Sequence, residues 1–182
     1  YRRANEPQQL TEQDLTQLKS IAGGDQGYSD MLQCAAKNLK SQEIEAVAVC
    51  LLWSIANPAH EQRVGQLIED HLPGIPYSLS HILNPALREY RRASAVAIDA
   101  SLKPLMAEYL GSLKERLSDA GFLGRTLVLT SQGGMIDAQE LASKPIHAIN
   151  SGPSMAPIAG RSYADLECDE PSAIIADTGG TT

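Results

Sequence analysis

"AVAVCLLW", residues 46 to 53, decides the fold class, because its eight apolar residues run without a polar break. A strand with one wet face alternates apolar and polar side chains. A strand covered by helices on both faces has no wet side, and the alternation disappears. The run therefore predicts a buried strand of a parallel α/β sheet. Directly after it, Asn57-Pro58 predicts a helix start: asparagine accepts free amide hydrogen bonds, and proline suits the first helical position. Val64, Leu67, Ile68 and His71 then fall on one helical face, and Pro73-Gly74 stops the helix.

Outward from this unit the pattern stays alternating. Toward the N-terminus, Thr11-Glu-Gln-Asp14 opens a helix with Leu15, Leu18, Ile21 and Ala22 on one face, and residues 30 to 40 repeat the pattern. Toward the C-terminus, Leu102, Leu105, Met106, Tyr109, Leu110, Leu113 and Leu117 predict a long amphipathic helix ended by Gly121. Pro104 predicts a break or a first turn near its start. Beyond it the expected order is a strand over 126–130, a short helix over 135–143 and a strand over 146–149. A helix over 153–164 and a last strand over 173–176 complete it. Helices and strands alternating through short loops predict an α/β fold whose sheet is at least partly parallel.

The 182 residues are 43% hydrophobic, enough for one core, and the formal charge is −7. An acidic balance excludes a nucleic-acid surface, which needs clustered basic residues to neutralise phosphates. The one basic cluster, Arg88-Glu-Tyr-Arg91-Arg92, reads as a solvated or partner-facing helix face. Cys34, Cys50 and Cys168 form no CxxC pair and no disulfide framework, which suits a reducing cytosol, and no apolar run has membrane-spanning length. A cytoplasmic location without membrane contact is expected. The start at Tyr1 rather than Met, with the stop inside a loop at Thr182, predicts a piece of a longer protein.

Three loops after predicted strands carry the chemistry. They are Thr130-Ser-Gln-Gly-Gly134, Asn150-Ser-Gly-Pro153 and Asp177-Thr-Gly-Gly-Thr-Thr182. All are small, rich in hydroxyls and glycine-containing. Glycine lets a phosphate approach backbone amides, and a helix N-terminus adds partial positive charge. Open α/β sheets bind ligands on this side. Ser131, Gly133, Gly134, Ser151, Gly152, Asp177, Gly179, Gly180, Thr181 and Thr182 are therefore the candidate nucleotide-binding residues. Each loop has a structural alternative: a strand-to-helix turn at Gly133-Gly134, an N-cap at Ser151, a hairpin turn at Thr178-Gly-Gly-Thr181. Neither GxxxxGK[ST] nor a GxGxxG after a strand is present. His60-Glu61 suggests a metal helix, but HExxH needs histidine where Val64 stands, so His60 reads as a helix N-terminal residue beside Asn57. A buried-strand position makes His147 a satisfied core histidine. No GxSxG elbow and no Ser-His-Asp order occurs, and the catalytic residues stay unassigned.

The order "TSQGG", short helix, "INSGP", apolar helix, "ADTGGTT" resembles the actin/Hsp70-like ATPase superfamily. Within it, "EAVAVCLLWSIANPAHEQRVGQLI", "EYRRASAVAIDASLKPLMAEYLGSL" and those loops resemble the hydantoinase A/5-oxoprolinase family, which also holds the acetone and acetophenone carboxylases. The likeness runs over roughly residues 43–182. The chain departs from the family at Gln132, at Thr182 and at Ser154-Met-Ala-Pro157, where a small, glycine-rich segment is usual.

The resemblance implies an incomplete ribonuclease H-like (actin-like ATPase) lobe, a mixed sheet flanked by helices. Residues 1–76 would hold the end of the family's N-terminal segment, and 77–170 the rest of the first lobe with its crossing helix. Residues 171–182 would hold the first strand and phosphate loop of a truncated second lobe. A first phosphate loop would precede Tyr1, and an adenosine-contacting lobe would follow Thr182. The resemblance further implies ATP and Mg²⁺ as cofactors, Asp177 as the metal-holding carboxylate, a cyclic amide substrate and a hydantoinase B-type partner subunit or domain. The implied activity is hydrolysis of the amide after phosphorylation of its carbonyl oxygen. The alternatives are an ATP-dependent carboxylase and a non-catalytic actin-like interaction domain.

Overall fold

One long helix packs on a two-stranded parallel sheet and leads into a separate antiparallel hairpin. In the computed structural model the described residues are Asp30, Cys34, 43–167 and 172–179. Strand β1 (Val47–Val49) leads through helix α1 (Ala59–His71) to strand β2 (Tyr77–Leu79), and the two strands pair in parallel with Val47 opposite Tyr77. Helix α2 (Ser80–Leu83) and helix α3 (Glu89–Asp119) follow. Strands β3 (Leu127–Leu129) and β4 (Met135–Asp137) then form an antiparallel hairpin, with Leu129 opposite Met135. Helix α4 (Ala138–Ser143), a 3₁₀ turn (Pro145–Ala148) and helix α5 (Ser151–Glu167) complete the order. The described strands thus make two separate pairs, one parallel and one antiparallel, instead of one mixed sheet.

Of the parallel unit the sequence predicts β1 and α1, but not β2, and Ala48 in the middle of a run expected to be buried on both faces is exposed. Asn57 Oδ1 accepts the Ala59 amide at 3.1 Å, opening α1. Val64 and Ile68 of α1 and Leu72 at its end pack on Val49 and Leu79, with Ile44, Val47 and Ile75 around them. Gly65 lets α1 lie close on β2, because a Cβ there would stand 3.1 Å from the Tyr77 ring. The apolar run is strand only over Val47–Val49. Leu52 and Trp53 past its end are exposed, because the chain leaves the sheet there to make the turn in which Trp53 accepts the Ala56 and Asn57 amides.

Helix α3 overturns two expectations. It starts at Glu89 and carries Pro104 in its interior, where a break or a first turn was expected. Its buried residues are Arg92, Val96, Asp99, Ala100 and Leu110, while Leu105 and Tyr109 of the expected apolar face are exposed. Arg92, read as part of a solvated cluster, is fully buried. Packing of the first turns on both strands of the parallel sheet outweighs the local signal at Pro104. The predicted end holds: Gly121 (φ +84°) donates to Ser118 O and Phe122 to Leu117 O, the paired bonds of a glycine-terminated helix.

Three further elements differ from expectation. Residues 135–137 are strand, because the turn before them reverses the chain onto β3. Residues 145–148 form a 3₁₀ turn where a strand was expected, and Ala173–Ala176 has no regular structure. His147 accordingly sits in a turn, half-buried. The helix expected over 11–22 and most of that over 30–40 lie outside the described residues, although Asp30 and Cys34 are helical. Among the described residues no helix is long and apolar enough to cross a membrane.

Candidate functional site

The first loop is the turn of the β3–β4 hairpin. Thr130 donates its amide to Gly134 O at 2.8 Å, Gly133 donates to Thr130 O at 3.0 Å, and the Gly134 amide reaches Thr130 Oγ1 at 3.3 Å. The Ser131 amide leaves the loop and donates to His147 O at 2.7 Å. Among the described residues, Gln132 therefore carries the one backbone amide in this loop without an acceptor. Gly133 adopts φ +80°, a region that favours glycine, and a Cβ on it would stand 2.6 Å from Ile158 Cδ1 of α5. The glycine pair thus shapes the turn and lets it touch α5, while the exposed donor belongs to a residue that the glycine signal passed over.

The second loop opens α5. Asn150 holds φ +58° and its carbonyl accepts both the Ser154 amide (3.1 Å) and the Ser154 hydroxyl (2.7 Å). Ser151, expected as a possible N-cap, makes no hydrogen bond with its hydroxyl among the described residues. The Ser151 and Gly152 amides also lack intrachain acceptors, leaving two donors at the positive end of the helix dipole. A Cβ on Gly152 would meet nothing within 4 Å.

The third loop approaches the same helix from another side. Ile175 lies directly on Gly160 of α5, where any Cβ would collide with it. Two residues on, Asp177 is exposed and folds its carboxylate over Gly179, with Oδ1 3.4 Å from where a Gly179 Cβ would stand. Gly180, Thr181 and Thr182 lie outside the described residues. Helix α5 thus starts in the second loop, meets the first at Ile158 and meets the approach to the third at Gly160. No hydrogen bond among the described residues joins Asp177 to either other loop.

Beneath the ends of β1 and β2 lies a buried polar network that the sequence reading missed. Glu61 Oε1 accepts the Leu51 amide (2.8 Å) and the Ser80 hydroxyl (2.6 Å), and Oε2 accepts the His81 amide (3.0 Å) and lies 2.7 Å from His81 Nδ1. Burial raises the affinity of this carboxyl for a proton. The bonds from Ser80, from the His81 ring and from the Leu51 and His81 amides together outweigh it, holding the pKa near 2, below the ordinary 4.5. Arg92 donates from Nε to Ser80 Oγ (3.2 Å), and from its terminal nitrogens to Ala86 O (3.3 Å) and Leu51 O (2.6 Å). Of the His60-Glu61 pair it is the glutamate that matters, and His60 is exposed.

About two helical turns further along α3, Asp99 makes a second buried junction. Its Oδ2 accepts the Ser78 hydroxyl of β2 at 2.6 Å, and its Oδ1 accepts the Ile146 amide of the 3₁₀ turn at 3.1 Å. Lys103 Nζ stands 3.9 Å from the same carboxylate and donates to Tyr77 O. Burial pushes the Lys103 ammonium below its usual pKa, and the Asp99 charge works against that shift. The sequence signal for these groups was the spacing of Arg92, Val96, Asp99 and Lys103 along one helical face, a stripe mixing charged and apolar residues.

Comparison with known proteins adds the family. Residues 92–182 match the Hydantoinase/oxoprolinase family, and residues 25–72 match the Hydantoinase/oxoprolinase N-terminal region. The chain is 32% identical over 151 residues to the caprolactamase subunit alpha of Pseudomonas jessenii, a match covering 83% of this chain and 22% of that protein. It is 30% identical over 149 residues to the acetophenone carboxylase gamma subunit of Aromatoleum aromaticum, covering 79% of this chain and 20% of that one. The crystal structure of the ATP-dependent caprolactamase from Pseudomonas jessenii superposes with a TM-score of 0.66 at 31% identity, over 73% of this chain and 19% of that one. The chain spans about a fifth of the length of these relatives.

Proposed function

Because the chain belongs to the hydantoinase/oxoprolinase family, we propose that it is the phosphate-facing part of a longer ATP-dependent enzyme that opens cyclic amides. The fold of that longer protein would be actin-like, with α5 as the helix crossing between two lobes. The observation that carries the reading is the convergence on α5. Gly133 and Gly160 give up side chains where Ile158 and Ile175 pass, so the first loop and the approach to the third reach the helix that the second opens.

The residues present fit a nucleotide phosphate. The unpaired amides of Gln132, Ser151 and Gly152 and the hydroxyls of Ser131 and Ser151 are donors suited to phosphate oxygens. Gly133 and Gly134 shape the first turn, and in the sequence Gly179, Gly180, Thr181 and Thr182 follow Asp177 as further candidate phosphate-binding residues. Asp177 is exposed and carries a carboxylate suited to the water shell of Mg²⁺. When bound, ATP supplies the phosphoryl group that turns a stable ring-carbonyl oxygen into a leaving group. The share of this chain would be to hold and orient phosphate by backbone donors, and Asp177 would hold the metal that neutralises charge.

The substrate class follows the amide-cleaving relative, and the likeness to a carboxylase subunit carries the second reading, ATP-dependent carboxylation. Assay of the full-length protein separates them: ATP is supplied with 5-oxoproline, a hydantoin or a lactam, each with and without bicarbonate. Ring opening coupled to phosphate release and indifferent to bicarbonate is expected. Phosphate release that needs bicarbonate and leaves the rings intact favours the carboxylase, and no ATP consumption under any condition overturns both. A hydantoinase B-type partner subunit belongs to the same proposal, since the two sequence relatives are named as subunits.

The second loop gives a sharper test. Gly152 is exposed, has no neighbour where a Cβ would stand and does not lie in the left-handed region, so Gly152→Val leaves the fold intact. At a phosphate-facing helix start the added side chain blocks the ligand. Gly152→Val is expected to cut turnover of the full-length protein at least tenfold, about 1.4 kcal/mol of barrier. Ser151→Ala should cost at most a fewfold, and both thermal midpoints should stay near that of the parent. A fully active Gly152→Val variant would make the loop a plain helix start.

A further inference from the structure

We propose that Asp99 is a positioning residue for the phosphate-facing loops, an inference that rests on the nucleotide reading of those loops. The connection is continuous and made of few bonds. Asp99 is 1% exposed and fixed from the β2 side by the Ser78 hydroxyl at 2.6 Å. Its other oxygen takes the Ile146 amide at 3.1 Å, which fixes the 3₁₀ turn Pro145–Ala148. The next residue of that turn, His147, offers its carbonyl to the Ser131 amide of the first loop at 2.7 Å. On the other side the turn runs through Ile149, whose amide closes on Ile146 O, into Asn150 and the start of α5. One buried carboxylate therefore sets the segment from which both loops hang, and refers it to the parallel sheet.

The two bonds of Asp99 separate the roles. The Ser78 bond stays within the parallel unit, whereas the Ile146 bond reaches the loops. Losing the second frees a part-buried amide and lets the 3₁₀ turn, the Ser131 contact and the start of α5 shift together. Asparagine keeps an acceptor for the Ile146 amide and can accommodate Ser78 by rotation of its hydroxyl, so it should rescue what alanine loses.

The test uses the full-length protein with ATP binding by calorimetry and amide hydrogen exchange read in parallel. Asp99→Ala is expected to weaken ATP binding about tenfold and to speed exchange of the Ile146 and Ser131 amides together. Asp99→Asn and Ser78→Ala should each keep ATP affinity within threefold and leave the Ser131 amide protected. ATP binding that Asp99→Ala leaves within twofold of the parent, or an equal loosening of Ser131 by Ser78→Ala, overturns the inference alone. No ATP binding by the unaltered protein overturns the nucleotide reading, and the inference with it. If Asp99→Ala does not fold, the unaltered protein still decides. The relay requires the Ile146 and Ser131 amides to exchange through one common opening, and independent opening rates would refute it.

Discussion

Glu61→Gln is expected to lower stability by roughly 3 kcal/mol, a fall in thermal midpoint on the order of 10 °C for a unit of this size. Both oxygens of Glu61 accept only donors: two backbone amides, the Ser80 hydroxyl and the His81 ring. A glutamine amide would set its own hydrogens against two of them, and Arg92 would lose the negative charge two bonds away through Ser80. The pH dependence follows from the depressed pKa, near 2 in the fold against an ordinary 4.5. A lowered carboxyl pKa stabilises the fold fully above pH 4.5, and the contribution is lost as pH falls through 2. The stability gap between parent and Glu61→Gln, measured by denaturant unfolding, should therefore be constant at neutral pH and close between about pH 4.5 and pH 2. A gap that stays constant to pH 2 would show that the carboxylate charge contributes nothing.

Asp177→Asn in the full-length protein is expected to cut turnover at least tenfold in saturating Mg²⁺, about 1.4 kcal/mol of barrier or more, with little change in stability. The side chain is exposed and its near neighbour is Gly179, so its removal disturbs no packing. Asparagine keeps the shape and removes the charge, which isolates the metal-holding role. Unchanged turnover alongside normal stability would reduce Asp177 to a turn residue.

Two of the candidate loops were legible because glycine and serine between apolar runs have local meanings: positive φ at Gly133 and a helix start at Ser151. Their contacts were not. That Gly133 touches Ile158 and Gly160 touches Ile175 depends on where α5 lies, and nothing in either loop encodes it. Nor could the sequence say that the glycine amides of the first loop are spent on the turn while that of Gln132 is free. Intrachain pairing is decided by hairpin geometry, and the hairpin itself was expected as a strand and a helix.

By itself the sequence determined the start of α1 at Asn57-Pro58 and the end of α3 at Gly121. Each rests on bonds between residues at most a few positions apart, so a short window contains the whole cause. Only the tertiary structure decided the buried charges and the elements they organise. Arg92 is sequestered because Leu51 O, 41 positions away, accepts from it, and Glu61 is ionised inside the fold because Ser80 and His81 donate from 19 and 20 positions away. Residues 145–148 form a turn fixed through the Ile146 amide, which Asp99 takes from 47 positions away. A buried charge is tolerable only when partners replace the water it has lost. Those partners come from separate elements, and until the chain has folded nothing near the charged residue distinguishes it from one on a solvated surface.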